Sequence, residues 1–178
     1  KYPQLLSFGS LHPDYEHIEK ELLRLKHNNI QGLKFHVEFQ GFRMDDPAFY
    51  ALLENIGSEF ILMFHVGDSL PPEKNPSSPQ KLAAIRHNFP NLRIIAAHFG
   101  GYLHWPWVLE HLAGKDIYLD TSSSLSFIEP ELLLKIFHKH PREKILFGSD
   151  YPVFDPAQEM ELLQKKLALT ETELEALM

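Results

Sequence analysis

Short apolar runs alternate along the chain with longer stretches in which apolar residues recur every three or four positions. The runs cover residues 5–10, 32–39, 60–66, 93–98, 117–121 and 144–149. Each is brief and largely apolar, which predicts parallel strands buried on both faces. Helix signals fill the gaps. Ile18, Leu22 and Leu25 share one face of a helix predicted over 14–28. Asp46-Pro47 and Ser78-Pro79 each place a capping residue before a proline at the first helical position, opening helices to 55 and 88. Further helices are expected over 107–112, 131–140 and 156–167, and Thr170-x-x-Glu173 reads as a capping box opening another. The proline-rich stretch 71–79 reads as a long strand-to-helix loop.

Strand starts recur about every 24 to 33 residues, the spacing of βαβ units. With right-handed crossovers, such units make a closed (β/α)8 barrel or an open doubly wound sheet. No predicted strand leads into G-x-G-x-x-G, so the fingerprint of a dinucleotide-binding sheet is missing. A TIM barrel is the expected fold, in the α/β class, with residues 1–178 as one domain. Six strands against the eight of a barrel of about 250 residues imply that about the first two are absent.

Charge narrows the function. Seventeen basic residues stand against 24 acidic, for a net charge of −7, and no basic run exceeds two residues. That disfavours a nucleic-acid surface, which concentrates Lys and Arg on one face. There is no cysteine, which excludes disulfides and thiolate metal sites and suits a reducing compartment. No apolar run approaches the roughly 18 residues that span a bilayer. The expectation is a soluble, cytoplasmic protein with a small-molecule substrate, no nucleic-acid or membrane partner, and homo-oligomerisation open.

The eleven histidines matter by position. Lys34 and His36 lie two apart on one predicted strand and so share a face. His65, His98, Asp120 and Asp150 end successive apolar runs. In a barrel the C-terminal ends of the strands form one face, where active sites are built. Imidazoles, a carboxylate and an amine gathered there suit a hard or borderline divalent metal. A lone strand-end histidine is more often a satisfied polar group. Burying five such residues together, however, costs several kcal/mol unless they share partners. Glycines directly after the histidines, in His65-Val66-Gly67 and His98-Phe99-Gly100-Gly101, let the backbone turn closely around a site.

Gly32-Leu33-Lys34-Phe35-His36, His65-Val66-Gly67, His98-Phe99-Gly100-Gly101, Tyr118-Leu119-Asp120-Thr121-Ser122 and Phe147-Gly148-Ser149-Asp150-Tyr151-Pro152 together resemble the amidohydrolase superfamily. The nearest resemblance is to its amidohydrolase-2 branch, which includes hydrolases and decarboxylases of the aminocarboxymuconate-semialdehyde type. It covers nearly the whole chain, in order. It implies a divalent metal, most often zinc, with His65 as the fifth-strand ligand and His98 as the sixth-strand ligand or acid/base group. Asp150 would be the eighth-strand aspartate that contacts metal and takes a proton from water. Lys34 matches the fourth-strand lysine, carboxylated in binuclear members and unmodified where one metal suffices. His36 follows that lysine and takes a substrate-side role, with Arg43 and Trp105 as further substrate-binding candidates.

The chain departs from the family pattern in lacking the first-strand His-x-His pair and the Gly-Asn segment after the last helix. Residues 2–10 correspond to the third strand, so the expectation is a part of a longer protein that begins upstream with that His-x-His motif. The implied reaction is hydrolysis of a small amide, lactone or ester by a metal-activated water, with Asp150 and His98 catalytic. Decarboxylation of an unsaturated carboxylic acid needs the same residues, and a non-catalytic barrel-derived binding module is the third reading. Asp45 and Asp46 read as helix-capping groups, and His12 as part of a loop. Tyr102, Trp105 and Trp107 suit a pocket wall or plain packing equally. His17, His27, His87, His111, His138 and His140 read as solvated helix residues.

Overall fold

The computed structural model describes residues 4–177. Six strands run parallel and pair strictly in chain order: β1 (Phe8–Gly9), β2 (Gly32–Phe35), β3 (Ile61–Phe64), β4 (Arg93–Ala96), β5 (Tyr118–Asp120) and β6 (Ile145–Leu146). Helices lie between and after them: α1 (Ile18–His27), α2 (Val37–Gln40), α3 (Pro47–Ile56), α4 (Pro79–Asn88), α5 (Trp105–His111), α6 (Pro130–Lys139), α7 (Pro156–Leu167) and α8 (Glu171–Glu175). A doubly wound sheet reverses its strand order at a switch point. This sheet never reverses, so it is a length of (β/α)-barrel wall.

The two faces of the wall differ. Leu33 and Phe35, Leu62 and Phe64, Ile94 and Ala96 are buried, while Lys34, Met63 and Ile95, aligned across β2, β3 and β4, are half-buried. Successive side chains alternate across a strand, which sends the first set under the helices and the second to the barrel interior. Phe49, Leu52, Leu53 and Ile56 of α3, Leu82 and Ile85 of α4, and Leu133, Ile136 and Phe137 of α6 meet the first set in one core. Fully burying a residue of this size contributes about 1.5–3 kcal/mol.

Several boundaries move from their expected places. The ladder of β1 is confined to Phe8–Gly9, and the Tyr2 and Pro3 portion of the expected strand lies outside the described residues. The strand expected over 32–39 stops at Phe35, because the Gln40 side-chain oxygen accepts the His36 N–H (2.9 Å) and the chain turns into α2. Helix α1 starts at Ile18, since residues 12–15 form a turn in which Tyr15 N–H donates to the His12 carbonyl (3.0 Å). Asp46 precedes α3 without capping it; its carboxylate accepts the Arg43 N–H instead (2.7 Å). Ser78 and Asp155 do cap α4 and α7, and the Thr170–Glu173 capping box is present.

His140, read as solvated, is 3% exposed. Its Nε2 bonds the Ile117 carbonyl (2.9 Å) and its Nδ1 accepts from Gly114 N–H (3.2 Å), tying the end of α6 to the approach to β5. Among the described residues no helix is long and apolar enough to cross a membrane.

Candidate active site

The loops leaving the strand ends are held by backbone bonds that cross from one strand to the next. His65 N–H still pairs with the Phe35 carbonyl (2.9 Å), and Ala97 N–H with that of Phe64 (2.9 Å). Beyond these, His98, Ser123 and Asp150 adopt φ of 62°, 48° and 61°. Non-glycine residues in this left-handed region cost of the order of 1–3 kcal/mol each and persist where the surroundings over-determine them. Ser123 and Asp150 are joined by a side-chain hydrogen bond, and around His98 the surroundings are bonds to Asp120. Its Oδ1 accepts from His98 N–H (3.2 Å), Ser122 N–H (2.9 Å) and the Ser122 hydroxyl.

Gly67 (φ 80°) allows another close approach. A Cβ there would lie 2.4 Å from the Tyr102 carbonyl oxygen. The bare glycine lets Tyr102 N–H reach the Val66 carbonyl at 2.7 Å, which sets the Tyr102 ring against the site.

The result is a cavity of about 530 Å³ at the C-terminal ends of the strands. Lys34, His36, His65, His98, Ser123 and Asp150 supply its polar groups, and Phe39, Tyr102, Phe127, Val153 and Phe154 its walls. Lys34 is half-buried, and desolvation pushes its amine below the ordinary lysine range against the opposing charges of Asp120 and Asp150. Asp150 Oδ2 accepts from the Ser123 hydroxyl (2.7 Å).

The imidazoles form a directed chain. His98 Nδ1 faces the Ser122 carbonyl (3.1 Å), an acceptor, so that nitrogen carries the proton. His98 Nε2 stands 2.8 Å from His65 Nδ1. In a neutral His98 it accepts, which makes His65 Nδ1 the donor and leaves His65 Nε2 with a free lone pair. Both rings are neutral near pH 7. Burial and then the neighbouring His98 and His36 push His65 down to about 3, and burial lowers His98 against the opposing charge of Asp120.

His36 is sandwiched. Its ring stacks on His65 at 3.7 Å and 11°, and on Phe39 at 3.9 Å and 14°. Its Nδ1 lies 3.2 Å from Glu38 Oε2, yet the angle makes no hydrogen bond, and both atoms are buried without a hydrogen-bond partner. The other Glu38 oxygen accepts from the Ser77 hydroxyl, which in turn accepts from Gly67 N–H (3.1 Å).

The structure therefore brings five of the expected site residues to one cavity: Lys34, His36, His65, His98 and Asp150. Arg43 and Trp105 are not among its lining residues. Arg43 turns to Asp45 (3.0 Å) and the Lys74 carbonyl (3.3 Å). Trp105 is buried, and its indole N–H donates to the His98 carbonyl (3.0 Å), so it supports the histidine's backbone from behind.

Comparison with known proteins now decides the kinship, because the amidohydrolase family model matches residues 3–178. The chain belongs to the amidohydrolase family. The resemblance carried by the motifs is borne out, in the amidohydrolase-2 branch. No curated protein sequence gives a significant match.

Among solved structures, this amidohydrolase superimposes on a probable 2-pyrone-4,6-dicarboxylic acid hydrolase from Acinetobacter baumannii with citric acid bound. The identity is 16% and the TM-score 0.71, covering 98% of this chain and 69% of that one. An amidohydrolase from Burkholderia multivorans with bound zinc gives 13% identity and a TM-score of 0.69, covering 97% and 69%. A dihydroxybenzoic acid decarboxylase from a Polaromonas species, with manganese and the inhibitor 2-nitroresorcinol, gives 14% and 0.61, covering 93% and 63%. At these identities the likeness is one of fold, and the amidohydrolase chain spans roughly two thirds of each.

The donor groups of this amidohydrolase fit a divalent cation. His65 has a free nitrogen lone pair, and His36 Nδ1 and Glu38 Oε2 are buried without a hydrogen-bond partner. Imidazole nitrogen with carboxylate oxygen is a set that zinc and manganese both take. Among the described residues, His36, Glu38 and His65 are the one trio of His, Asp or Glu side chains whose donor atoms all lie within 4.8 Å of one another. His65, His98 and Asp150 share the cavity without meeting that mutual distance. Glu38 was absent from the expected set, although alternation along the expected strand already put it on the face of Lys34 and His36. The available signal was a carboxylate two residues beyond His36.

Proposed function

We propose that this amidohydrolase is a metal-dependent hydrolase of a small amide, lactone or ester. The observation that carries the reading is the convergence of Lys34, two neutral imidazoles and Asp150 on one mostly apolar cavity at the strand ends. His65 and Asp150 would hold the cation, with zinc the proposed metal. A cation there supplies positive charge that lowers the pKa of water to about 7 and polarises a carbonyl.

The chain's own residues do the rest. Asp150, with Oδ2 oriented by the Ser123 hydroxyl, accepts a proton from the attacking water and returns it to the leaving group. His98 holds His65 in the tautomer that keeps its Nε2 lone pair free. Lys34, a half-buried amine, faces the substrate's developing negative charge. Phe127, Tyr102 and Phe154 keep water from the apolar part of the substrate. Zinc as the resident metal, a cytoplasmic location and self-association belong to the same proposal.

A second reading keeps the site and changes the reaction to decarboxylation of an unsaturated carboxylic acid. It is supported by the pairing of a half-buried lysine with aromatic walls, which suits a flat anion. The test is an assay of the zinc- and manganese-loaded protein against amides, lactones, esters and unsaturated acids, following hydrolysis products and released carbon dioxide separately. Hydrolysis without carbon dioxide supports the first reading, and carbon dioxide release the second. Stoichiometric metal uptake with no turnover of any class would leave the binding-module reading standing.

A further inference from the structure

We infer that His36 and Glu38 are themselves cation ligands, so that the end of β2 supplies a nitrogen and a carboxylate oxygen to the metal centre. The inference rests on the metal-dependent reading above. It adds to that reading a carboxylate outside the expected set and moves His36 from the substrate to the metal.

The first argument is the shape of the contact. A histidine donating to a carboxylate puts the oxygen near the axis of its N–H bond. Glu38 Oε2 lies 3.2 Å from His36 Nδ1 but off that axis, and neither atom finds another partner. A cation lying against both atoms would satisfy the two together. Two ligands bonded to one ion at about 2.0–2.2 Å and meeting at roughly a right angle or a little more stand about 3 Å apart. Each then points at the ion instead of at the other. The 3.2 Å between His36 Nδ1 and Glu38 Oε2 fits that spacing.

The second argument is independent of the first. A ligating carboxylate is held by hydrogen bonds to the oxygen that does not face the metal. Glu38 has that pattern: one oxygen takes the Ser77 hydroxyl, itself fixed by Gly67 N–H and by the turn in which Ser77 N–H donates to Asn75 Oδ1 (3.0 Å), and the other is left bare. Ser77 and Asn75 are fully buried. The loop between β3 and α4 thus holds Glu38 through its other oxygen, Oε1. His36 is likewise fixed on both ring faces, by His65 and Phe39.

His65 would be the third ligand, since its donor atom lies with those of His36 and Glu38 within 4.8 Å of one another.

The test uses metal-free protein titrated with zinc and with manganese against a chromophoric chelator, and cobalt absorption as a report on coordination. Glu38→Gln and His36→Asn are each expected to weaken binding by about 100-fold or more. Ser77→Ala, which loses the support, should weaken it by about tenfold. Glu54→Gln, on the exposed face of α3, should match the wild type. Ring-nitrogen NMR shifts of the wild-type protein give a readout that needs no variant, with His36 Nδ1 moving on zinc addition.

If the wild type binds metal and loses it in His65→Asn and Asp150→Asn, while Glu38→Gln and His36→Asn bind normally and His36 Nδ1 does not move, this inference is overturned and the metal-dependent reading stands. If the wild type takes up no zinc, manganese or cobalt, both fall.

Discussion

Asp150 sits at the end of a short strand with a left-handed backbone and one oxygen committed to Ser123, which leaves the other free for chemistry. Asp150→Asn keeps the size of the side chain and removes its basicity. Turnover should drop by about 10²–10⁴-fold, the usual worth of a general base, while thermal stability barely changes. His138→Asn, on the exposed face of α6, is the control and should alter neither. Full activity with metal retained in the Asp150 variant would make that residue structural. Gly67→Ala acts differently, because its Cβ would press on Tyr102 backbone at 2.4 Å from a conformation with φ of 80°. We expect a loss of about 1–3 kcal/mol in chemical denaturation, together with weakened substrate binding as Tyr102 shifts. An unchanged denaturation midpoint would mean that the two loops separate at no cost.

At the level of elements, helix ends were legible where the capping side chain has no better partner. Asp155 takes Ala157 and Gln158 N–H groups, both at 3.0 Å. Asp155→Ala should cost about 1 kcal/mol, measured as a lowered unfolding midpoint with function kept. No shift in that midpoint would assign the start of α7 to tertiary packing alone. Asp46 has the same sequence signature, but the Arg43 N–H reached its carboxylate first. The six strands and their order could be read because apolar runs at a regular interval leave few topologies. Where β2 ends could not, since Gln40 decides it by capturing the His36 N–H from four residues ahead. In that turn Glu38 Oε2 stands 3.2 Å from His36 Nδ1. The burial of His140 was equally hidden, for its partners at 114 and 117 come from another βα unit.

Taken whole, the molecule buries histidines in neutral form, and this sets its response to acid. His104 and His140 are each 3% exposed, and burial lowers both below the ordinary imidazole value of 6.5. The unfolded chain therefore binds more protons than the folded one as pH falls below 6.5. Their contribution to stability is complete above that pH and is lost on the way down towards the folded-state values. Denaturation of the metal-free protein should show stability falling from pH 6.5 to 5, with a shallower fall in His140→Gln. A slope identical to the wild type in that variant would place the acid sensitivity elsewhere.

The strictly sequential order of the sheet has a bearing on how such a chain is made. Every strand pairs with the one synthesised before it, so each βα unit leaving the ribosome meets a finished edge on which to dock. Between β1 and β6 no later segment is inserted between neighbours, and the entropic toll of closing long loops is spread over successive short ones. The residues that face the cavity arrive in the same succession, from Lys34 to Asp150, and the cavity takes shape one wall at a time.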